Sequence, residues 1–207
     1  TGLDVFGAGL GAIGHKQQAA AYREQADKAA EAFRKLYLKP DGSLAIHNQS
    51  AYAMALFFGL IPEAQHSAAA GHLAKLVKDN GNKMTTGFLG TRPLLPALSA
   101  NGHHDLSGIL MRQREFPSWG YEVDNGATTI WERWNSYVKG KGVHEPDMNS
   151  FSHYSFGAVC EWMMADLAGI DRAAPGFDRI KIAPRPTGGI TRAAASMETR
   201  HGKLACS

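Results

Sequence analysis

The sequence predicts a mainly α-helical fold of antiparallel helical hairpins, followed by the first strands of a β-domain. Three observations carry that expectation. A long stretch near the start repeats its apolar residues with helical spacing, and two pairs of shorter apolar segments follow, divided by breaks rich in Pro, Gly and Asn. After Pro175-Gly176 the pattern changes to an alternation of period two.

Over residues 14–38, Ala20, Tyr22, Ala26, Ala29, Ala30, Phe33 and Leu36 fall on one helical face, and Pro40-Asp41-Gly42 supplies the stop. Upstream, Gly7-Ala8-Gly9-Leu10-Gly11-Ala12 has the composition of a nucleotide loop. No strand precedes it and no βαβ unit surrounds it, so a loose helix or turn is expected. A second helix is expected over 49–60. Pro62 opens a third, which runs through Leu73, Leu76 and Val77 to Asn80-Gly81-Asn82 and makes a hairpin with the second.

Thr91-Arg92-Pro93 begins a short helix over 94–100, and after Asn101-Gly102 another covers 105–113, a second hairpin. Between 114 and 124, Pro117 and Gly120 break any period while Phe116, Trp119 and Tyr121 crowd together, which predicts an aromatic loop and a binding surface. A helix over 129–135, a polar loop from Lys139-Gly140-Lys141-Gly142 and a last long helix over 150–168 complete the helical part.

Arg179-Ile180-Lys181-Ile182-Ala183-Pro184 alternates as a strand, with weaker strand candidates over 190–199 and from 203 onward. The expected division is residues 1–171 for the helical part and 172–207 for the start of the β-domain, truncated with sheet edges left unpaired. The hairpins share no fixed sequence period, which favours a closed ring over a solenoid of consensus repeats.

With 207 residues, 44% of them hydrophobic and 20% charged, the chain can bury a sizeable core. Its net charge is only +3 and its Lys and Arg residues are scattered, so a nucleic-acid partner is not expected. No stretch approaches the roughly twenty apolar residues that span a bilayer, and Thr1-Gly2-Leu3-Asp4 lacks the regions of a signal peptide. No membrane partner is expected, and the compartment stays open between cytoplasm and periplasm. Cys160 and Cys206 read as free thiols, Cys160 as a small buried hydrophobe in the last helix.

The richest chemistry lies in Gly126-Ala127-Thr128-Thr129-Ile130-Trp131-Glu132-Arg133-Trp134-Asn135. Indole faces cover the apolar side of a pyranose, and a carboxylate beside them can deprotonate a water that attacks the anomeric carbon. The competing reading is a helix start, with Thr128 or Thr129 as N-cap and Glu132 completing a capping box. His153, in Met148-Asn149-Ser150-Phe151-Ser152-His153-Tyr154, could donate to a sugar hydroxyl or could be packed at a helix terminus. Nine histidines show no convergent ligand spacing, His103-His104 point apart on a helix, and no Gly-x-Ser-x-Gly elbow occurs. Neither a metal site nor a serine triad is expected.

Phe116-Pro117-Ser118-Trp119-Gly120-Tyr121, the run from Gly126 to Trp134 and the run from Met148 to Tyr154 together resemble the C-terminal half of bacterial α-L-rhamnosidases of glycoside hydrolase family 78. Thr86-Gly87-Phe88-Leu89-Gly90-Thr91 and Ile182-Ala183-Pro184-Arg185-Pro186 fit in the same order, and the likeness covers most of the chain. The resemblance implies an (α/α)6 toroid with the active site at its centre, then a β-sandwich, and hydrolysis of terminal α-L-rhamnosides with inversion and no cofactor.

Glu132 matches the family's general base and His153 its rhamnose-binding histidine. Trp119, Trp131 and Trp134 are our candidates for lining the pocket. Arg133 is expected to be a structural ion-pair partner.

Two smaller departures are Ser152, where asparagine is usual, and Cys160, where a small residue is usual. The larger one is an absence. The acidic motif that holds the family's general acid does not occur before Gly14, so the chain is expected to begin downstream of it and to be poorly active alone. Half a toroid would also expose apolar helix faces, which predicts self-association or contact with a missing N-terminal segment. The competing functions are a non-catalytic rhamnose-binding module and a helical interaction scaffold.

Overall fold

The computed structural model describes residues 2–207. Helix α1 (Gly2–Ala12) turns at Gly14 into α2 (Lys16–Tyr37), so the Gly-rich start is helical. Two hairpins follow: α3 (Gln49–Phe57) with α4 (Glu63–Asp79), and α5 (Phe88–Ala100) with α6 (His104–Arg112). Helix α3 packs closely on α5 as well as on α4, so the two hairpins interlock instead of lying in file. The core lies between them. Tyr52, Leu73, Val77, Leu94, Leu98 and Leu110 are completely buried there, with Trp162 beside them.

Helix α3 starts where the Asn48 side chain accepts the Ala51 amide at 2.9 Å, the expected chemistry of an N-cap. Its first residue, Gln49, is buried but fully used. Its amide nitrogen donates to the Lys83 carbonyl at 3.0 Å and its carbonyl oxygen accepts the Thr85 amide at 2.9 Å. One side chain thus straps the 83–85 segment to the core. Helix α5 begins at Phe88, upstream of the expected start, and keeps both Pro93 and Pro96 inside it. It can approach α3 because residue 90 is glycine: a Cβ there would stand 2.3 Å from Ser50 Oγ.

Three segments differ from expectation. The aromatic stretch after residue 114 is not all loop: Ser118 accepts the Tyr121 amide at 3.0 Å and caps a short helix, α7 (Trp119–Asp124). Trp119 is therefore buried at 7% exposure, while Phe116 stays exposed. Residues 127–136 form no helix. Their backbone bonds run outward instead of along a helix, with the Glu132 amide donating to the Ser150 carbonyl and the His153 amide to the Ile130 carbonyl, both at 2.8 Å. Thr129 Oγ1 donates to the Phe151 carbonyl, so it caps nothing.

For the same reason residues 150–154 form no helix, and the last helix begins only at Ser155. It runs as a 3-10 turn (Ser155–Ala158), then α8 (Val159–Trp162), then a π-turn (Met163–Leu167). Cys160 lies on its outer face and is exposed, contrary to the buried role expected, because Val159 and Trp162 are the residues turned inward.

The strands are short antiparallel pairs. β1 (Tyr137–Val138) pairs with β2 (Gly142–Val143), β3 (Ile170–Arg172) with β4 (Ile180–Ile182), and β5 (Ala195–Thr199) with β6 (Gly202–Cys206). The segment after β4 docks on α6 at backbone distance, since a Cβ on Gly108 would meet the Thr187 carbonyl at 2.8 Å. His104 Nε2 bonds the Arg185 carbonyl at 2.7 Å and Arg112 donates to the Gly188 carbonyl at 2.8 Å, tying this segment to the helical part.

Candidate active site

The two cross-links between 130–132 and 150–153 bring the Trp-Glu-Arg-Trp loop beside the segment that carries His153. The loop then turns on Ser136, whose hydroxyl accepts the Arg133 amide at 3.1 Å and whose carbonyl receives the Asn149 side chain at 2.9 Å. Local sequence could not encode this arrangement, because the partners lie some twenty residues apart and meet through backbone atoms that carry no side-chain signal.

Glu132, half-buried, faces a cavity of about 490 Å³. That volume falls in the range of roughly 300–1,000 Å³ typical of small-molecule sites. Trp134, Phe88, Phe156 and the Phe116-Pro117 pair give it a largely apolar wall, and Thr85 and Thr86 close one side. Trp134 is fixed by a 2.8 Å hydrogen bond from its indole nitrogen to the Thr86 carbonyl and lies against Phe156. The Gln49 strap and the Thr86–Thr91 hydroxyl contact at 2.8 Å hold the threonine wall in turn.

His153 stacks face to face on Phe88, centroids 4.8 Å apart, and Tyr154 covers its other side at 5.4 Å. It is not among the residues lining the Glu132 cavity but stacks on Phe88, which is. Its Nδ1 accepts the Ser155 amide at 3.4 Å, which leaves Nε2 as the ring nitrogen that can donate. Arg133 forms its ion pair with Glu145, not with Glu132.

The three tryptophans do not share one surface. Trp134 lines the Glu132 cavity. Trp131 is buried behind the loop, edge-on to Phe151 at 5.4 Å. Trp119 spends its indole N–H on the Phe156 carbonyl at 3.0 Å and borders a separate cavity with Glu122.

Glu122 had no signal in the sequence, where it falls within the expected aromatic loop. It is 2% exposed, one of its oxygens lacks a partner, and burial pushes its carboxyl up to about 7, a rise that the Trp131 amide only partly offsets. Phe88 and Phe156 were also missed as wall residues, though Phe88 sits within a stretch already singled out. Among the described residues, no group of His, Cys, Asp and Glu is arranged to hold a metal ion.

A carboxylate and an indole thus share the wall of a largely apolar cavity, on a scaffold of paired helices. The chain belongs to the bacterial α-L-rhamnosidase six-hairpin glycosidase domain family, whose model matches residues 10–167, and residues 169–207 match the bacterial α-L-rhamnosidase C-terminal domain.

An α-L-rhamnosidase of Streptomyces avermitilis is 43% identical over 188 residues, covering 91% of this chain and 18% of that protein. The crystal structure of Streptomyces avermitilis α-L-rhamnosidase complexed with L-rhamnose superposes with a TM-score of 0.93 at 40% identity, over 98% of this chain and 20% of that one. Native α-L-rhamnosidase from Aspergillus terreus also gives 0.93, at 33% identity, over 98% of this chain and 24% of that one. The chain thus spans about a fifth of the length of the relatives it matches.

Proposed function

We propose that this chain supplies the base-bearing half of an inverting α-L-rhamnosidase site. Glu132 is the general base, and the acid comes from another segment of the full protein, roughly 6.5–9.5 Å across the bound sugar. In this reading the Glu132 carboxylate holds a water against the anomeric carbon and takes its proton as the bond to the aglycone breaks. His153 donates from Nε2 to a rhamnose hydroxyl. Trp134, with Phe88, covers the apolar face of the ring, while Trp119 and Trp131 act as scaffold behind the loop. No cofactor takes part.

One observation carries the reading: Glu132 faces a cavity of about 490 Å³ beside Trp134, in a chain of this family. The substrate is a terminal α-L-rhamnoside, as the names of the relatives suggest. Residues 1–171 form the catalytic part and 172–207 the start of the β-domain, with β3 the strand that joins them through its pairing to β4. Val5 and Phe6 on α1 and Ile13 in the turn after it are exposed, which supports contact with a further segment or with a second copy.

The test is Glu132→Gln in the full-length gene product. Hydrolysis of a nitrophenyl α-L-rhamnoside falls by about 10²–10⁴, the usual worth of acid–base help, while rhamnose binding by calorimetry persists. Unchanged hydrolysis refutes the assignment.

A further inference from the structure

Glu122 lies directly behind the loop that carries Glu132 and fastens it at both ends. Its backbone carbonyl accepts the Ala127 amide at 3.0 Å, and the amide of Trp131, the residue before Glu132, points its favourable dipole at the side-chain carboxyl. The carboxyl is 2% exposed and its Oε1 has no partner. The adjoining cavity of about 260 Å³ is walled by Trp119, Val123, Ala127 and Ile130 with two threonines, none of them ionisable.

Among the described residues no opposite charge serves Glu122. On its own helix Asp124 is taken by Arg114, and across the loop Arg133 is taken by Glu145. On α6, which packs against α7, Arg112 donates to the Gly188 carbonyl. Burial favours the protonated carboxyl and the Trp131 amide opposes it.

A neutral carboxyl suits such a place. An anion there has one donor and an otherwise apolar enclosure, which is costly until water reaches it. The cover easiest to move is the loop itself, which is neither helix nor strand and is held to its neighbour by a few backbone bonds.

We propose that Glu122 is a pH-responsive positioning residue for the Glu132 carboxylate, its neutral form closing residues 126–132 against α7 and its anion releasing them. The part concerning turnover rests on Glu132 as the base, while the loop response is independent of that reading. Closed, the loop holds the Glu122 proton up to about pH 7; open, the carboxyl titrates at its ordinary 4.5. Opening therefore becomes about tenfold more favourable per pH unit between those limits and levels off above them.

The experiment compares wild type, Glu122→Gln and Glu122→Met in the full-length gene product. Amide hydrogen exchange at Trp131 and Glu132, corrected for intrinsic rates, is followed from pH 5 to 9. Wild-type protection falls by about tenfold per unit up to neutrality and then flattens. The Gln variant, which keeps an acceptor for the Trp131 amide without a titrating proton, stays at the wild-type acid value throughout. The Met variant, lacking the acceptor, is poorly protected at every pH.

On a nitrophenyl α-L-rhamnoside, the kcat of wild type falls relative to the Gln variant over the same range while KM holds. Equal pH dependence of protection in wild type and the Gln variant overturns the inference, as do superimposable kcat profiles. Divergent protection in a protein without hydrolysis supports the inference and refutes the proposed function.

Discussion

Trp134 lies flat on Phe156, ring centroids 3.9 Å apart and planes within 10°, with its indole N–H bonded to the Thr86 carbonyl. Trp119 meets Trp134 edge-on at 5.3 Å and bonds the Phe156 carbonyl. These three rings join α7, the Glu132 loop and the last helix into one block, so the residue bordering the Glu132 cavity is also a structural keystone. Aromatic pairs of this geometry add about 0.5–1.5 kcal/mol beyond the area they bury.

Removing that ring is expected to destabilise the chain before it affects any ligand. Trp134→Ala should cost about 3–5 kcal/mol, the range for emptying a large aromatic site. Trp134→Phe keeps the stack but leaves the Thr86 carbonyl only the long 3.4 Å contact from Thr91, a loss of about 1–3 kcal/mol. Urea unfolding of the two variants separates packing from hydrogen bonding, and equal losses would contradict the division.

Gly90→Ala tests how the threonine wall is held. The new methyl would stand 2.3 Å from Ser50 Oγ and 2.9 Å from Thr86 Cγ2, so α5 must lift from α3 or Thr86 must shift into the cavity. Overpacking of this kind costs about 1–3 kcal/mol. Adding Ser50→Gly removes the nearest obstacle and should return part of the stability, with a coupling visible in a double-mutant cycle of thermal melts.

What the sequence made legible follows from the range of the forces involved. Residues 14–38 carry helical spacing, 49–60 is an apolar run and 62–79 is opened by Pro62 and closed by Asn80-Gly81-Asn82, and α2, α3 and α4 lie there. The Glu132 loop was misread as a helix because Thr128, Thr129 and Glu132 imitate a capping box, while the amides at 132 and 153 take partners across the fold. Glu132 stood out because its two flanking indoles are unusual together. Phe88 and Phe156 look like any core aromatic, and Glu122 like any solvated acid in a loop. Tertiary placement alone gives those three their roles.

Glu122 also predicts how stability changes with pH. Folded, its carboxyl keeps its proton to about 7, against 4.5 for the ordinary group, so the folded chain binds more protons between those values and loses stability as pH rises through them. At about 1.4 kcal/mol per unit the penalty reaches up to about 3 kcal/mol above neutrality and vanishes below pH 4.5. Local opening of the loop lowers that ceiling. Glu122→Gln removes the dependence, so the difference in unfolding free energy between the variant and wild type should grow from pH 4 to 7 and then stay constant. A difference that is flat across pH would show that the carboxyl titrates normally.

The last prediction concerns α1. Val5 and Ile13 are 75% and 70% exposed, and Phe6, though edge-on to Tyr22 at 4.9 Å, is still 55% exposed. With Phe57 and Phe58 they border an apolar groove of about 920 Å³, rimmed by Arg92, Glu161 and Arg172. An apolar hollow with a charged rim resembles half of an interface, and water is a poor occupant of it. The 207-residue chain by itself is therefore expected to self-associate, with light scattering giving a mass above 22.3 kDa that rises with concentration. Val5→Lys with Ile13→Lys puts charge on the groove wall without touching the core around Tyr52 and Leu98, and should restore a monomer with an unchanged melting temperature. If the unmodified chain runs as a clean monomer at high concentration, the groove does not drive association. If the double variant associates as strongly as wild type, the contact lies elsewhere.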